Sequence, residues 1–386
     1  MDLDFLLKRA VAEVISEEEL RKMLGSGKKL RLKEGLDPSS TDITLGHMVG
    51  LRKLRQFQDM GHQVVLIVGD WTARIGDPSG ASVTRPMLSE EQVTSNAQTY
   101  MDQFFKIVDK DKTEVRLQSE WFNDFTLETV IRLTSKFTVA QFLAREDFSK
   151  RYNAGKPIAI TELLYPLMQA YDSVAIESDV EFGGTDQKFN FLVGRELQSM
   201  MGQTPQQCFM TPLLVGTDGV QKMSKSLGNY IGINEPPEQI FGKVMSVSDD
   251  QIMDYFELVT DVPDKELAEF RQALDGNSVN PMELKKRLAG EIIGQLYDEK
   301  AVVEAEAHFV KTVQNKEIPE EIPEAPAGKI IDMLVDQNIA SSRAEVRRLI
   351  SQGAVVVDDR KAEDPQQIIT AGSIIRVGKR RYLKSV

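Results

Sequence analysis

The sequence predicts an α/β domain built on a parallel sheet, then a bundle of helices, then a small basic α+β end. Three observations predict it. Leu30 to Leu36, a helical run from about Leu45 that stops at Gly61, and the nearly unbroken apolar stretch Gln63 to Val68 form a strand, a helix and a second strand. The last reads as a strand covered on both faces, so the unit is βαβ. From Glu235 the pattern is helical: Pro236-Pro237 opens one helix, Asn280-Pro281 caps and starts another, and Leu284, Leu288, Ile292 and Leu296 follow at helical spacing. Charge then changes sign along the chain. Of 47 Lys/Arg and 59 Asp/Glu, Ala327 to Val386 holds 11 and 7, net +4, so the preceding 326 residues carry 36 and 52, net −16. A polyanionic partner is best placed at the basic end.

Composition narrows the classes. With 386 residues, 41% hydrophobic and 27% charged, the chain is long enough for two or three soluble domains. No run of 18 apolar residues is present, and Met1-Asp2-Leu3-Asp4 lacks the basic-then-apolar layout of a secretory signal. No membrane partner is therefore expected. A single cysteine, Cys208, fits a reducing, cytoplasmic location. Three histidines (His47, His62, His308) leave a Cys/His metal site unexpected. Magnesium would arrive with a nucleotide, held by phosphate and water.

Taken in order, Val14 to Leu24 reads as a helix with Ser16 as cap and Glu17 to Glu19 in its first turn. The first strand ends in the polar loop Asp37-Pro38-Ser39-Ser40-Thr41-Asp42. Next comes Thr44-Leu45-Gly46-His47 at the start of the helix, whose free N–H groups and dipole favour phosphate. His47 is either a phosphate donor or a capping residue. The second strand runs into Gly69 to Gly80, where Asp77 is either a partner for an amino group or an Asx turn before Pro78. Arg85 follows on a stretch that reads as a lid. Val115 to Gln118 is a further strand, and Leu127 to Phe148 reads as helices broken near Lys136 to Thr138. In the helix Ile160 to Val174, Tyr165, Gln169 and Asp172 fall within about 60° of arc. They form either a solvated face or a binding face. Val180 to Phe182 leads into Gly183-Gly184-Thr185-Asp186-Gln187, and Met210 to Leu214 reads as the last strand. Beyond it lies Lys222-Met223-Ser224-Lys225-Ser226 between Gly219 and Gly228, two ammonium groups on a mobile loop able to close on polyphosphate. The loops of five strand ends thus converge on one crevice.

The lysine loop resembles the KMSKS signature of class I aminoacyl-tRNA synthetases, and Gly46-His47 resembles its upstream partner. Tyr165-x3-Gln169-Ala170-Tyr171-Asp172 resembles the tyrosine-pocket helix of tyrosyl-tRNA synthetases of the bacterial type. The resemblance covers nearly the whole chain and implies a Rossmann-like catalytic domain over 1–233, with an inserted dimerisation region at about 122–160 and a mobile loop at 219–228. It also implies a helical anticodon-arm domain (234–316), a linker (317–326) and an RNA-binding domain like that of ribosomal protein S-four (327–386). The implied activity is ligation of tyrosine to its tRNA by way of tyrosyl-adenylate. L-tyrosine, ATP with Mg2+ and tRNA(Tyr) are the implied partners, and the implied assembly is a homodimer. Thr44, His47, Arg85, Lys222 and Lys225 would be catalytic. Asp37, Ser39, Gly46, Gly184, Asp186 and Ser224, with His47 and the two lysines, would hold ATP. Thr72, Asp77, Tyr165, Gln169, Asp172 and Gln187 would hold tyrosine. Arg343, Arg347, Arg348, Arg380, Arg381 and Lys384 would contact RNA. Three positions depart from the family pattern: Thr44 stands for a histidine, Lys33 for a tyrosine found in many relatives, and Ala81 for a lysine. The weighed alternatives are a tryptophanyl enzyme and a non-catalytic RNA-binding protein with a synthetase fold.

Overall fold

The computed structural model describes residues 3–38, 42–79, 88–314, 322–337, 339–358, 360–378 and 381–386. Ser39, Ala81, Arg85 and Arg380 lie outside them. The chain divides into two compact units, Met1–Glu299 and Lys300–Val386. The sheet and the helices after Glu235 thus fall in one unit, where the sequence suggested two domains.

That unit opens with α1 (Leu3–Lys8), β1 (Glu13–Ile15) and α2 (Glu17–Gly25). The helix expected from Val14 therefore starts three residues later. Glu13 to Ile15 instead pair antiparallel with Cys208 to Met210, a match too short for alternation to reveal. After these come β2 (Arg31–Leu36), α3 (Leu45–Asp59), β3 (Gln63–Val68), the short α4 (Thr72–Ile75), α5 (Glu90–Phe104) and β4 (Thr113–Leu117). Helices α6 (Ser119–Phe122), α7 (Leu127–Thr134), α8 (Val139–Leu143) and α9 (Glu146–Asn153) follow. Thr126 and Thr138 cap α7 and α8 by accepting from the N–H groups of Thr129 and Gln141, which sets the break at Ser135 to Thr138. Then come α10 (Ile160–Ala175), β5 (Val180–Gly184), α11 (Lys188–Met200) and β6 (Gln207–Thr211). The last strand lies three residues earlier than expected. Pro212, which cannot donate to a ladder, stands just beyond its end.

The sheet order is β1-β6-β5-β2-β3-β4, parallel except for β1. Valine and isoleucine of β3 are buried on both faces, as the apolar run required. Because β2 is flanked by β3 on one side and β5 on the other, the chain reverses direction across the sheet there. That is where open α/β sheets leave a crevice.

Helices α12 (Pro237–Val244), α13 (Ile252–Val259), α14 (Asp264–Asp275) and α15 (Pro281–Leu296) complete the unit. They belong with the sheet for an identifiable reason. The buried guanidinium of Arg9 donates to the carbonyls of Phe256, Glu257, Thr260 and Val262, and that of Arg52 on α3 donates to Val259 at 3.0 Å. Phe256, Glu257 and Val259 are orphan carbonyls of the last turn of α13 and Thr260 and Val262 follow it, so two cations tie the end of α13 to the turn after α1 and to α3.

The second unit takes in most of α16 (Glu299–Phe309), then β7 (Glu324–Ala325), β8 (Gly328–Lys329), α17 (Ile330–Asp336), α18 (Arg343–Ser351), β9 (Val355–Val357), β10 (Arg360–Lys361), β11 (Ile368–Ile369), β12 (Ile374–Val377) and β13 (Arg381–Ser385). Part of the expected linker is therefore strand, since Glu324 and Ala325 pair with Lys384 and Ser385. Val346 and Ile350 of α18 face the core while Arg343, Arg347 and Arg348 are exposed, and Ser342 caps by accepting from Glu345 N–H. Arg343 pairs with Asp332 at 2.8 Å, Lys384 with Glu324 at 2.8 Å, and Arg381 donates to the Ile339 carbonyl.

Candidate active site

All five parallel strands end at one cavity of about 330 Å³. Among its lining residues are Asp37 after β2, Thr72 and Asp77 after β3, Gln118 after β4, Gly184 at the end of β5 with Asp186 and Gln187 beyond it, and Leu213 after β6. Thr44, Gly46 and His47 come from the start of α3, and Tyr165, Gln169 and Asp172 from α10. Lys222 reaches it from the lysine loop.

The two signature stretches are joined directly. Leu45 N–H donates to the Ile231 carbonyl at 2.9 Å, Ile233 N–H to Ile43 at 3.0 Å, and Thr44 bridges to Gly232. A Cβ at Gly46 would lie 3.6 Å from Met223 Cβ, an ordinary contact, and a tighter 3.3 Å from Thr44 Oγ1, so the helix start packs against the lysine loop at Met223. Thr44 is buried, and its N–H donates to His47 Nδ1 at 3.2 Å. A backbone N–H can only donate, so Nδ1 is the acceptor and the ring proton sits on Nε2. His47 is exposed at the surface, yet the protein packed around its ring lowers its pKa to about 4, with Lys222 and Lys225 also lowering it and Asp186 opposing. The imidazole is therefore neutral near pH 7 and carries one N–H to offer. His47 is thus a capping residue that also lines the cavity.

At this end the lysines rest on carboxylates. Lys222 Nζ lies 2.8 Å from Asp186 Oδ2, and Lys225 pairs with Asp42. Lys225 and Ser224 do not line the cavity: Ser224 Oγ lies 2.8 Å from Ser226 Oγ. Asn229 organises the loop. Its Oδ1 accepts from Ser224 N–H at 2.8 Å, and its Nδ2 donates to Asp218 at 2.9 Å and to the Lys222 carbonyl at 3.1 Å. A Cβ at Gly184 would lie 2.7 Å from Asp186 Oδ1, so glycine keeps that carboxylate close to the strand end.

The opposite end is buried. Asp172 Oδ2 accepts from Gln118 Nε2 at 2.7 Å and Oδ1 from Trp121 Nε1 at 3.1 Å. Burial raises its pKa to about 7, the charge of Lys33 opposing. Tyr165 donates to Asp37 Oδ2 at 2.8 Å, and the Thr72 hydroxyl lies 2.6 Å from Asp37 Oδ1. Asp37, expected at the nucleotide, thus sits among residues expected at the amino acid. Burial lifts the Tyr165 phenol well above its ordinary range. Asp77 accepts from Ser79 N–H at 2.8 Å, which makes the Asx turn, and its other oxygen accepts from Gln187 Nε2 at 2.7 Å. The polar stripe of α10 faces this interior and not solvent.

Sequence reasoning missed Gln118, Trp121, Glu181, Asn229 and Asp42. Gln118 closed the strand that was read from Val115 onward, but nothing local marks the carboxylate it serves 54 positions away. Lys33 is answered by Glu181. Among the described residues no group of three or more His, Cys, Asp or Glu is arranged to hold a metal ion.

Known proteins share this sequence and fold. Residues 26–314 match the model of the family described as tRNA synthetases class I (W and Y), and residues 330–375 match the S4 domain. The chain is 64% identical over 389 residues to a protein of Dehalococcoides mccartyi strain CBDB1 named tyrosine–tRNA ligase, covering 100% of this chain and 98% of that one. It is 50% identical to the protein of that name from Thermotoga maritima, covering 98% and 96%. Among solved structures, a tyrosyl-tRNA synthetase from Archaeoglobus fulgidus complexed with L-tyrosine superposes with a TM-score of 0.62 at 24% identity, over 78% of this chain and 98% of that one. A truncated mitochondrial tyrosyl-tRNA synthetase from Aspergillus nidulans gives 0.66 at 19%, over 78% and 92%; both likenesses show the fold. With its sheet, its crevice and its C-terminal S4 domain, the chain belongs to the class I tRNA synthetases of the W and Y family.

Proposed function

We propose that this protein is a tyrosine–tRNA ligase that forms tyrosyl-adenylate from tyrosine and ATP and passes the tyrosyl group to the terminal adenosine of tRNA(Tyr). The carrying observation is that one cavity has a buried carboxylate at one end, Asp172, and a neutral histidine with a lysine at the other, His47 and Lys222. Tyrosine enters with its phenol O–H donating to Asp172, while Tyr165, Gln169 and Asp77 meet its ammonium. Asp37 and Thr72 hold Tyr165 in place. ATP lies across the glycine strand end, its ribose hydroxyls on Asp186 and its phosphates toward the α3 terminus. Magnesium comes in with ATP as part of the substrate.

The carboxylate oxygen of tyrosine attacks the α-phosphorus in line. The bond from that phosphorus to the bridging oxygen breaks, and pyrophosphate leaves with the electron pair. His47 donates through Nε2–H to a phosphate oxygen, its ring oriented by the Thr44 N–H. Lys222 and Lys225 exchange Asp186 and Asp42 for phosphate and take up the charge on the leaving group. In the second step a terminal ribose hydroxyl of tRNA attacks the acyl carbon and AMP departs.

The exposed arginines of α18, with Lys384, suit the RNA backbone. Leu127, Ile131, Val139, Tyr152 and Ile160 expose large apolar side chains within or at the edge of the inserted helices, which supports a homodimer through that region. No described helix is long and apolar enough to cross a membrane, and a cytoplasmic role suits the single reduced, buried thiol. ATP–pyrophosphate exchange with tyrosine, tryptophan or no amino acid tests the reading. Exchange with tyrosine alone is expected; exchange with tryptophan, or none at all, would refute it.

A further inference from the structure

Beneath the buried end lies an ion pair with almost no solvent contact. Lys33 Nζ is 2.8 Å from Glu181 Oε1, and the side chains are 0% and 1% exposed. Every donor of the ammonium has an acceptor: Glu181, the Gln169 carbonyl at 2.7 Å and Ser173 Oγ at 2.8 Å. Glu181 is equally occupied. Its Oε1 also accepts from Gln169 Nε2 at 3.1 Å, while Oε2 accepts from Gln206 Nε2 and lies 3.4 Å from Ser173 Oγ. Such a pair has no donor left for substrate, and pairs of this kind are weak contributors to stability. What it does is fix a neighbour.

That neighbour is the Gln169 carboxamide. Its Nε2 faces Glu181, and its Oε1 accepts from Asn190 Nδ2 at 3.0 Å. Turning the amide over would set oxygen against the Glu181 carboxylate and nitrogen against the Asn190 amide, a repulsion at both contacts. We propose that Lys33 and Glu181 are positioning residues of the amino-acid end, locking the Gln169 carboxamide so that its oxygen is held as an acceptor for the ammonium of the bound amino acid. The pair also clamps α10 to β2 and β5, since Lys33 holds the backbone at Gln169 and the side chain at Ser173. This inference rests on the reading that tyrosine occupies the α10 end of the cavity.

The test uses the full chain and steady-state pyrophosphate exchange. In Lys33→Met/Glu181→Leu two buried charges are replaced by apolar groups, which buried pairs often tolerate. The melting temperature should fall by some degrees, because Gln206 Nε2 and the Gln169 carbonyl lose buried partners, while in the folded variant the KM for tyrosine rises about tenfold, the equivalent of one lost polar contact. The KM for ATP and kcat should stay within about twofold of the parent, because neither depends on Gln169. An unchanged KM for tyrosine in the folded double variant overturns the proposal. If that variant does not fold, Glu181→Gln, which keeps the side-chain length, replaces it: a rise in the KM for tyrosine alone supports the proposal, and equal rises for both substrates overturn it. Gln169→Ala separates the two layers of argument. No effect of Gln169→Ala on tyrosine means that the underlying site reading is wrong; an effect there with none in the pair variants means that only the positioning role is wrong.

Discussion

The two ends of the cavity are built in opposite ways. At the amino-acid end, Asp172, Gln169, Tyr165 and Asp77 are held by partners on different elements, and the charges beneath them are paired inside the protein. At the phosphate end, the lysines lie on a surface loop and rest on carboxylates, with Lys222 43% and Lys225 24% exposed. Selecting one side chain requires acceptors already in place, because a misfit is then penalised in full. Stabilising charge that develops only during reaction calls for cations that can change partners.

The first way to break this comparison is at the loop. Lys225→Ala should slow tyrosine-dependent exchange by about 100- to 1000-fold with an unchanged KM for tyrosine. A comparable rise in that KM would show that the ends are not separable. Next comes Asp172→Asn. Its amide can accept from only one of Gln118 and Trp121 and presents a poorer acceptor to a phenol, so the preference for tyrosine over phenylalanine in kcat/KM should fall about 10- to 100-fold. Undiminished selectivity would remove Asp172 from the phenol site.

How much of this was legible in the sequence follows the same division. The lysine loop and Gly46-His47 are local signatures, and β3 and α3 were placed nearly to the residue by period and by Gly61. The stripe on α10 was visible as geometry, yet periodicity could not say whether it faced water or the interior. What holds it there came from elsewhere: Gln118 and Trp121 lie some 50 residues from Asp172, and Glu181 lies on the strand after α10. Long-range partners of buried polar groups leave no mark in local pattern. Strand β1 escaped for a related reason, since three residues carry too little alternation to outweigh the helix signal of Glu17 to Glu19.

Proton titration sharpens the contrast with a smaller effect. The raised Asp172 pKa, about 7, means that acid removes its acceptor charge, so kcat/KM for tyrosine should decline as pH falls through about 7, by up to about tenfold per unit. The decline should flatten in Asp172→Asn. His47, lowered to about 4, stays neutral across that window, so kcat/KM for ATP should show no acid limb from it above about pH 5. Profiles for the two substrates, measured on one preparation, check both; identical acid limbs would contradict the assignment. The smallest effect belongs to the residue that shapes the loop. Asn229→Ala removes the contacts to Ser224, Asp218 and Lys222 and should reduce kcat about fivefold without altering the KM for tyrosine.

Equilibrium binding of tyrosine in the absence of ATP, compared among the parent, Lys225→Ala and Asp172→Asn, tests the division of labour most directly. Parent-like affinity is expected for Lys225→Ala, and a loss of about tenfold or more for Asp172→Asn. Equal losses in both variants, or full affinity in Asp172→Asn, would contradict it.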